Sequence, residues 1–78
     1  MTEKILLVDD DPNILAALRR QLRKVFLIDT APGPREGLEA VRESGPYAVV
    51  VSDLRMPGMD GIQFLAKVRT LAPDTVRM

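Results

Sequence analysis

Apolar residues in this chain fall into short runs, separated by stretches where they recur every third or fourth position. Lys4 to Val8 is such a run, ends abruptly in acids, and reads as a buried strand. Asp11-Pro12 has the chemistry of a helix start, since Asp caps free N–H groups and proline fits the first turn. Leu15, Leu18 and Leu22 then follow at helical spacing. Arg19, Arg20, Arg23 and Lys24 load the final turns, where cations suit the negative end of the helix dipole. Val25 to Thr30 reads as a second strand. Pro32-Gly33-Pro34 is a break. Pro34 to Ser44 fits a second helix, with Leu38 and Val41 inward and Glu36, Glu39, Arg42 and Glu43 outward, stopped by Gly45-Pro46. Tyr47 to Ser52 is a third strand, apolar on both faces and so expected in the middle of a sheet. The Pro and Gly content of Met56 to Gly61 marks a loop. Ile62, Leu65, Val68 and Ala72 mark a third helix, ended by Pro73, and Thr75 to Met78 opens a fourth strand.

The order β-α-β-α-β-α-β predicts an α/β fold: right-handed crossovers and a parallel sheet with helices on both faces. In such sheets ligands bind beyond the carboxyl ends of the strands. Asp9-Asp10-Asp11 lies at that end of the first strand and Asp53 at that end of the third.

Composition narrows the chemistry. With 78 residues there is room for one domain. The absence of Cys and His removes disulfides, zinc sites of the usual kind, thiol nucleophiles and imidazole bases. Eleven Lys+Arg balance eleven Asp+Glu, which suggests neither a nucleic-acid nor a membrane surface. No apolar run approaches the roughly 20 residues that cross a bilayer, and the first residues lack a signal peptide's apolar stretch. The expected location is cytoplasmic. The basic end of the first helix has no interleaved aromatics and reads as a solvated face rather than a nucleic-acid contact.

If the first and third strands are neighbours, Asp9, Asp10 and Asp53 converge. Carboxylates that close repel one another and call for a proton or a cation. Mg²⁺ suits such a set, because it takes one or two carboxylates, keeps several waters, and leaves positions for phosphate oxygens. Asp11 and Asp60 read more simply as helix caps. No phosphate-binding glycine loop occurs, and the first acids do not continue into a calcium loop.

Ile5 to Pro12 (ILLVDDDP) and Ser52 to Gly61 (SDLRMPGMDG) resemble the two hallmark segments of the receiver domain of bacterial two-component response regulators. The resemblance runs from Lys4 to Met78. It implies a flavodoxin-like sheet and a phosphoacceptor module that is not itself an enzyme. Asp53 matches the phosphoacceptor, which takes its phosphoryl group from a sensor histidine kinase or histidine phosphotransfer protein. Asp9 and Asp10 match the acidic pair that holds Mg²⁺, with Asp10 the favoured direct ligand. Asp53 and the backbone carbonyl of Arg55 complete the implied metal ligands, and Pro57 and Gly61 match residues shaping the loop above the site.

The family's Thr or Ser at the end of a fourth strand and Lys at the end of a fifth have no counterpart here. The expectation is therefore a receiver domain spanning 1–78 that lacks its C-terminal third and its output domain. Expected partners are the kinase or phosphotransfer protein and, through the open sheet edge, a second copy of the chain; no direct nucleic-acid or membrane contact is expected. The competing reading is a haloacid-dehalogenase-like phosphatase fragment with Asp9 as nucleophile and Asp11 as acid/base. It leaves Asp53 and the Met56–Gly61 loop without a role.

Overall fold

The structure, a computed structural model, describes residues 3–53 and 58–78. Four strands and three helices alternate: β1 (Lys4–Val8), α1 (Pro12–Leu22), β2 (Leu27–Ala31), α2 (Pro34–Ser44), β3 (Val49–Ser52), α3 (Gly61–Leu71) and β4 (Val76–Arg77). The strands form one parallel sheet in the order β2-β1-β3-β4.

The apolar run of β1 is explained by its place between β2 and β3. Its side chains alternate between two cores. Leu6 and Val8 join Val41, Tyr47, Val50, Phe64 and Val68 under α2 and α3. Ile5 and Leu7 join Leu15 and Ile28 under α1, with Leu18, Leu22, Val49 and Val51 packed around them. Helices therefore cover both faces, as the alternation predicts.

Local chemistry sets the helix starts. Asp11 accepts a hydrogen bond from the Asn13 amide at 2.9 Å, and Pro12 opens α1. Asp60 accepts from the Gln63 amide at 2.8 Å, while the Gln63 side chain accepts from the Asp60 amide, a reciprocal capping box. Both residues are the caps their sequence positions predict.

Several boundaries and one face differ from expectation: β2 runs one residue further, to Ala31, and β4 covers only Val76–Arg77 of the expected Thr75 to Met78. Val25 and Phe26 are not in β2, because both amides donate to the Leu22 carbonyl at 3.0 Å and complete the turn that ends α1. Val25 is left 66% exposed, so its strand preference is overridden by the helix end. β3 begins at Val49 rather than Tyr47, although the Ala48 amide already bonds to the Lys4 carbonyl at 2.8 Å. The inward stripe of α3 is Gly61, Phe64 and Val68, with Leu65 and Ala72 partly packed, and Ile62 is 72% exposed. The reason lies on α2: a Cβ on Gly37 would come within 2.9 Å of the Phe64 ring. That glycine makes room for the largest side chain of α3, and the helix rotates to place it there.

A polar clasp ties the edge strand down. The Tyr47 hydroxyl donates to Asp29 at 2.6 Å. The Lys4 ammonium lies 3.7 Å from the same carboxylate and 5.0 Å from the Tyr47 ring centre, and also donates to the Ser44 carbonyl. Burial first, and the hydrogen bond to Asp29 second, raise the Tyr47 phenol above its ordinary value.

Phe64→Ala should cost about 3–5 kcal/mol of stability, against roughly 0.5 kcal/mol or less for Ile62→Ala, measured by urea unfolding. Equal costs would mean α3 is rotated differently. The raised phenol pKa makes a second expectation. The neutral phenol is favoured by the fold, so its contribution is complete below about pH 10, the unfolded value, and is lost as pH rises past it. Tyr47 is the sole tyrosine and there is no tryptophan. Phenolate absorbance should therefore appear only together with alkaline unfolding, and Tyr47→Phe should remove that part of the pH dependence at a cost of about 1 kcal/mol.

Candidate functional site

The site forms where β1 and β3 end side by side. Their register pairs Val8 with Ser52, so Asp9 and Asp53 are the next positions on adjacent strands. The ladder continues one step further: the Asp53 amide donates to the Val8 carbonyl at 3.0 Å, and the Asp9 amide to the Ala31 carbonyl at 3.2 Å. The backbone of both acids is thus held by the sheet, while their side chains lie beyond its last core residues. Asp9 is held a second time, because its carboxylate accepts a hydrogen bond from the Asp11 amide at 2.9 Å.

Asp9, Asp10 and Asp53 each bring one carboxylate oxygen to within 4.8 Å of the others. Asp9 and Asp53 are half-buried and Asp10 is exposed. The donors are all hard oxygens, the set preferred by Mg²⁺ and Ca²⁺ over softer metals. Opposite ligands of one Mg²⁺ stand about 4 Å apart, so the outer limit of this cluster is slightly wide for all three to bind directly. A small cation that keeps waters fits the arrangement best. The residues present therefore suit the cation that the sequence suggests.

Other expected residues divide clearly. Asp11 is not part of the cluster: its carboxylate caps α1. That is the role of a structural acid, and it removes the second acid needed by the phosphatase-like reading. Gly61 is buried as the first residue of α3. Arg55, Met56 and Pro57 lie outside the described residues, so the Arg55 carbonyl belongs with the proposals below. Just after them Gly58 has φ of 87°, in the left-handed region that favours glycine.

One neighbour was not apparent from the sequence. A hollow of about 360 Å³ opens beside the cluster, with Asp10 on one wall and Gly33, Arg35 and Met59 among its other lining residues. Arg35 is the cation of that lining, although its guanidinium also stands 3.9 Å from Glu39. Its place at the start of α2 carries no motif, so only the packing of α2 beside β1 reveals it.

No helix among the described residues is long and apolar enough to cross a membrane. The model of the response regulator receiver domain family matches residues 5–78. The hydrogenase transcriptional regulatory protein HoxA of Cupriavidus necator is 38% identical over 74 residues, which is 95% of this chain and 15% of that protein. A solved structure described as an adenylate cyclase from Rhodopirellula baltica superposes with a TM-score of 0.95 at 39% identity, over 99% of this chain and 57% of that one. The response regulator TrrA of Thermotoga maritima is 35% identical over 97% of this chain and 66% of that one. It has been solved with Mg²⁺-BeF, at a TM-score of 0.88, and in complex with the histidine kinase ThkA, at 0.86. The chain therefore spans 15% of the length of HoxA and 57% to 66% of these solved chains.

Asp10→Asn should weaken Mg²⁺ binding by roughly tenfold or more, equivalent to about 1.4 kcal/mol per decade, in a titration followed by amide chemical shifts. Asp11→Asn, which keeps a capping oxygen, should bind Mg²⁺ as the unaltered protein does. Equal affinity in the Asp10 variant would remove Asp10 from the ligand set.

Proposed function

The chain belongs to the response regulator receiver domain family, and on that premise we propose that Asp53 accepts a phosphoryl group from a sensor histidine kinase or histidine phosphotransfer protein. The observation that carries the reading is the meeting of Asp9, Asp10 and Asp53 at the carboxyl end of the sheet. Aspartyl phosphorylation and Mg²⁺ are general features of this family.

Asp53 is the natural acceptor because it directly follows β3, an inner strand of the sheet, with its backbone fixed by the bond to Val8. One carboxylate oxygen attacks phosphorus, the phosphorus–nitrogen bond of the donor breaks, and its electron pair stays with the imidazole nitrogen. A carboxylate approaching a phosphoryl dianion meets strong repulsion. Mg²⁺, held by Asp9, Asp10, Asp53 and the Arg55 carbonyl, would neutralise that charge and align the oxygens. Asp9 is pre-positioned for its part by the Asp11 amide. Asp10 is exposed and can turn towards the cation. The product carries about −1.5 to −2 charge where the carboxylate carried −1, and spreads it over phosphoryl oxygens beside two existing acids, which supplies the signal.

The donor must approach from the carboxyl side of the strands. The first turns of α1 border that side and expose Asn13, Ile14 and Ala17, with Ile14 45% exposed. An apolar side chain so placed suits contact with a partner helix.

Acetyl phosphate with Mg²⁺ should label Asp53 and no other residue, located by mass spectrometry, and Asp53→Asn should abolish labelling. Ile14→Glu should slow transfer from a phosphohistidine donor by about tenfold, or ~1.4 kcal/mol, and leave acetyl-phosphate labelling unchanged. A phosphoryl group on Asp9 with Asp53 untouched, or steady ester turnover that survives Asp53→Asn, would favour the phosphatase-like reading.

A further inference from the structure

A second surface lies away from the carboxylates, where one flank of α1 faces the outer edge of β2. Among the described residues β2 pairs with β1 alone, which leaves its other edge without a strand partner. The Leu27 amide bonds to the Glu3 carbonyl, and the Ala31 carbonyl accepts from the Asp9 amide. Leu27, Asp29 and Ala31 thus turn their backbone groups towards β1. By the alternation of a parallel ladder, Ile28 and Thr30 turn theirs out of the sheet.

The side chain of Thr30 lines a groove of about 440 Å³ whose opposite wall carries Arg19, Arg20 and Arg23 around Leu15 and Ala16. All three arginines are exposed. The ion pairs among the described residues are Lys4 with Asp29 and Arg35 with Glu39, and neither involves these guanidinium groups. α1 itself carries no acid. The helix dipole accounts for a cation in the last turn. It does not account for three guanidinium groups on the one flank that overlooks a free strand edge, opposite the flank of Ile14.

We propose that this groove takes an extended acidic segment of a partner protein, added as a strand to the outer edge of β2. The spacing supports it. Arg19 and Arg23 are separated by about 6 Å along the helix, and alternate residues of a strand by about 6.7 Å. Carboxylates at alternate positions of the added strand therefore fall opposite successive guanidinium groups, each a planar fork matched to a carboxylate. The outward groups of Ile28 and Thr30 supply the main-chain bonds of strand addition. A nucleic-acid strand would meet the arginines but could not continue the ladder, and the groove offers no aromatic face for its bases.

The test uses a fluorescently labelled peptide alternating Glu with Thr, titrated against the protein at low and at physiological salt. Binding should saturate and weaken with salt. It should fall about tenfold or more, ~1.4 kcal/mol, in the Arg19→Glu/Arg23→Glu variant. Hydrogen exchange at the Ile28 and Thr30 amides should slow when the peptide is bound. Circular dichroism and acetyl-phosphate labelling of Asp53 should stay as in the unaltered protein, because both arginines are exposed and neither belongs to the cluster of Asp9, Asp10 and Asp53. The same peptide N-methylated at alternate amides should bind about tenfold more weakly. Equal binding of the N-methylated peptide, or unprotected Ile28 and Thr30 amides, would overturn strand addition. A single-stranded oligonucleotide that displaces the peptide and binds more tightly would assign the groove to nucleic acid instead. Loss of labelling in the unaltered protein would count against the phosphoacceptor reading and leave the peptide result standing.

Discussion

The parallel pairing of β1 with β3 is the constraint on which the rest depends. β1 is buried on both faces, with Leu6 and Val8 in one core and Ile5 and Leu7 in the other. A slip of one residue would exchange the two sets and break both cores, so the register is strongly specified. That register sets Asp9 beside Asp53. Two like charges about 4 Å apart cost of order 4 kcal/mol near a protein surface. Burying one aliphatic side chain contributes roughly 1.5–3 kcal/mol, and β1 buries four in a row. The core therefore outweighs the repulsion at its rim, and the exposed position of Asp10 lessens it. The fold holds together a set of acids that would otherwise move apart.

The other acids show by contrast why these three stand out. Asp11 and Asp60 cap helices, and Asp29 is held by Tyr47 and Lys4. Each has a hydrogen-bonding task that accounts for its presence. Asp9 accepts one bond from the Asp11 amide, yet its carboxylate still faces Asp10 and Asp53. Among the described residues no ion pair reaches this cluster, which sets it apart from the capping and clasped acids. The clasp around Asp29 has the opposite role, securing the edge strand β2 from its α2 side and leaving the α1 side free.

Much of this was legible in the sequence. The bounds of β1 and α2 and the start of α1 follow from apolar runs, capping acids and the Pro and Gly stops, because each signal acts within a few residues of the backbone it controls. The convergence of Asp9, Asp10 and Asp53 followed once the first and third strands were taken as neighbours, and the resemblance of the two acidic segments pointed to the same residues. What the sequence could not supply was anything that depends on a partner far along the chain. Val25 and Phe26 look like strand residues until the Leu22 carbonyl takes both amides. Ile62 looks inward, and Phe64 goes unmarked, until Gly37 on another helix opens space for the ring. Arg35 beside Asp10, and the arginine flank of α1 above the free edge of β2, exist only once α2 and β2 have docked against β1. Periodicity determines that a helix has an apolar face; which of two adjacent apolar positions is buried is decided by the shape of the surface it meets.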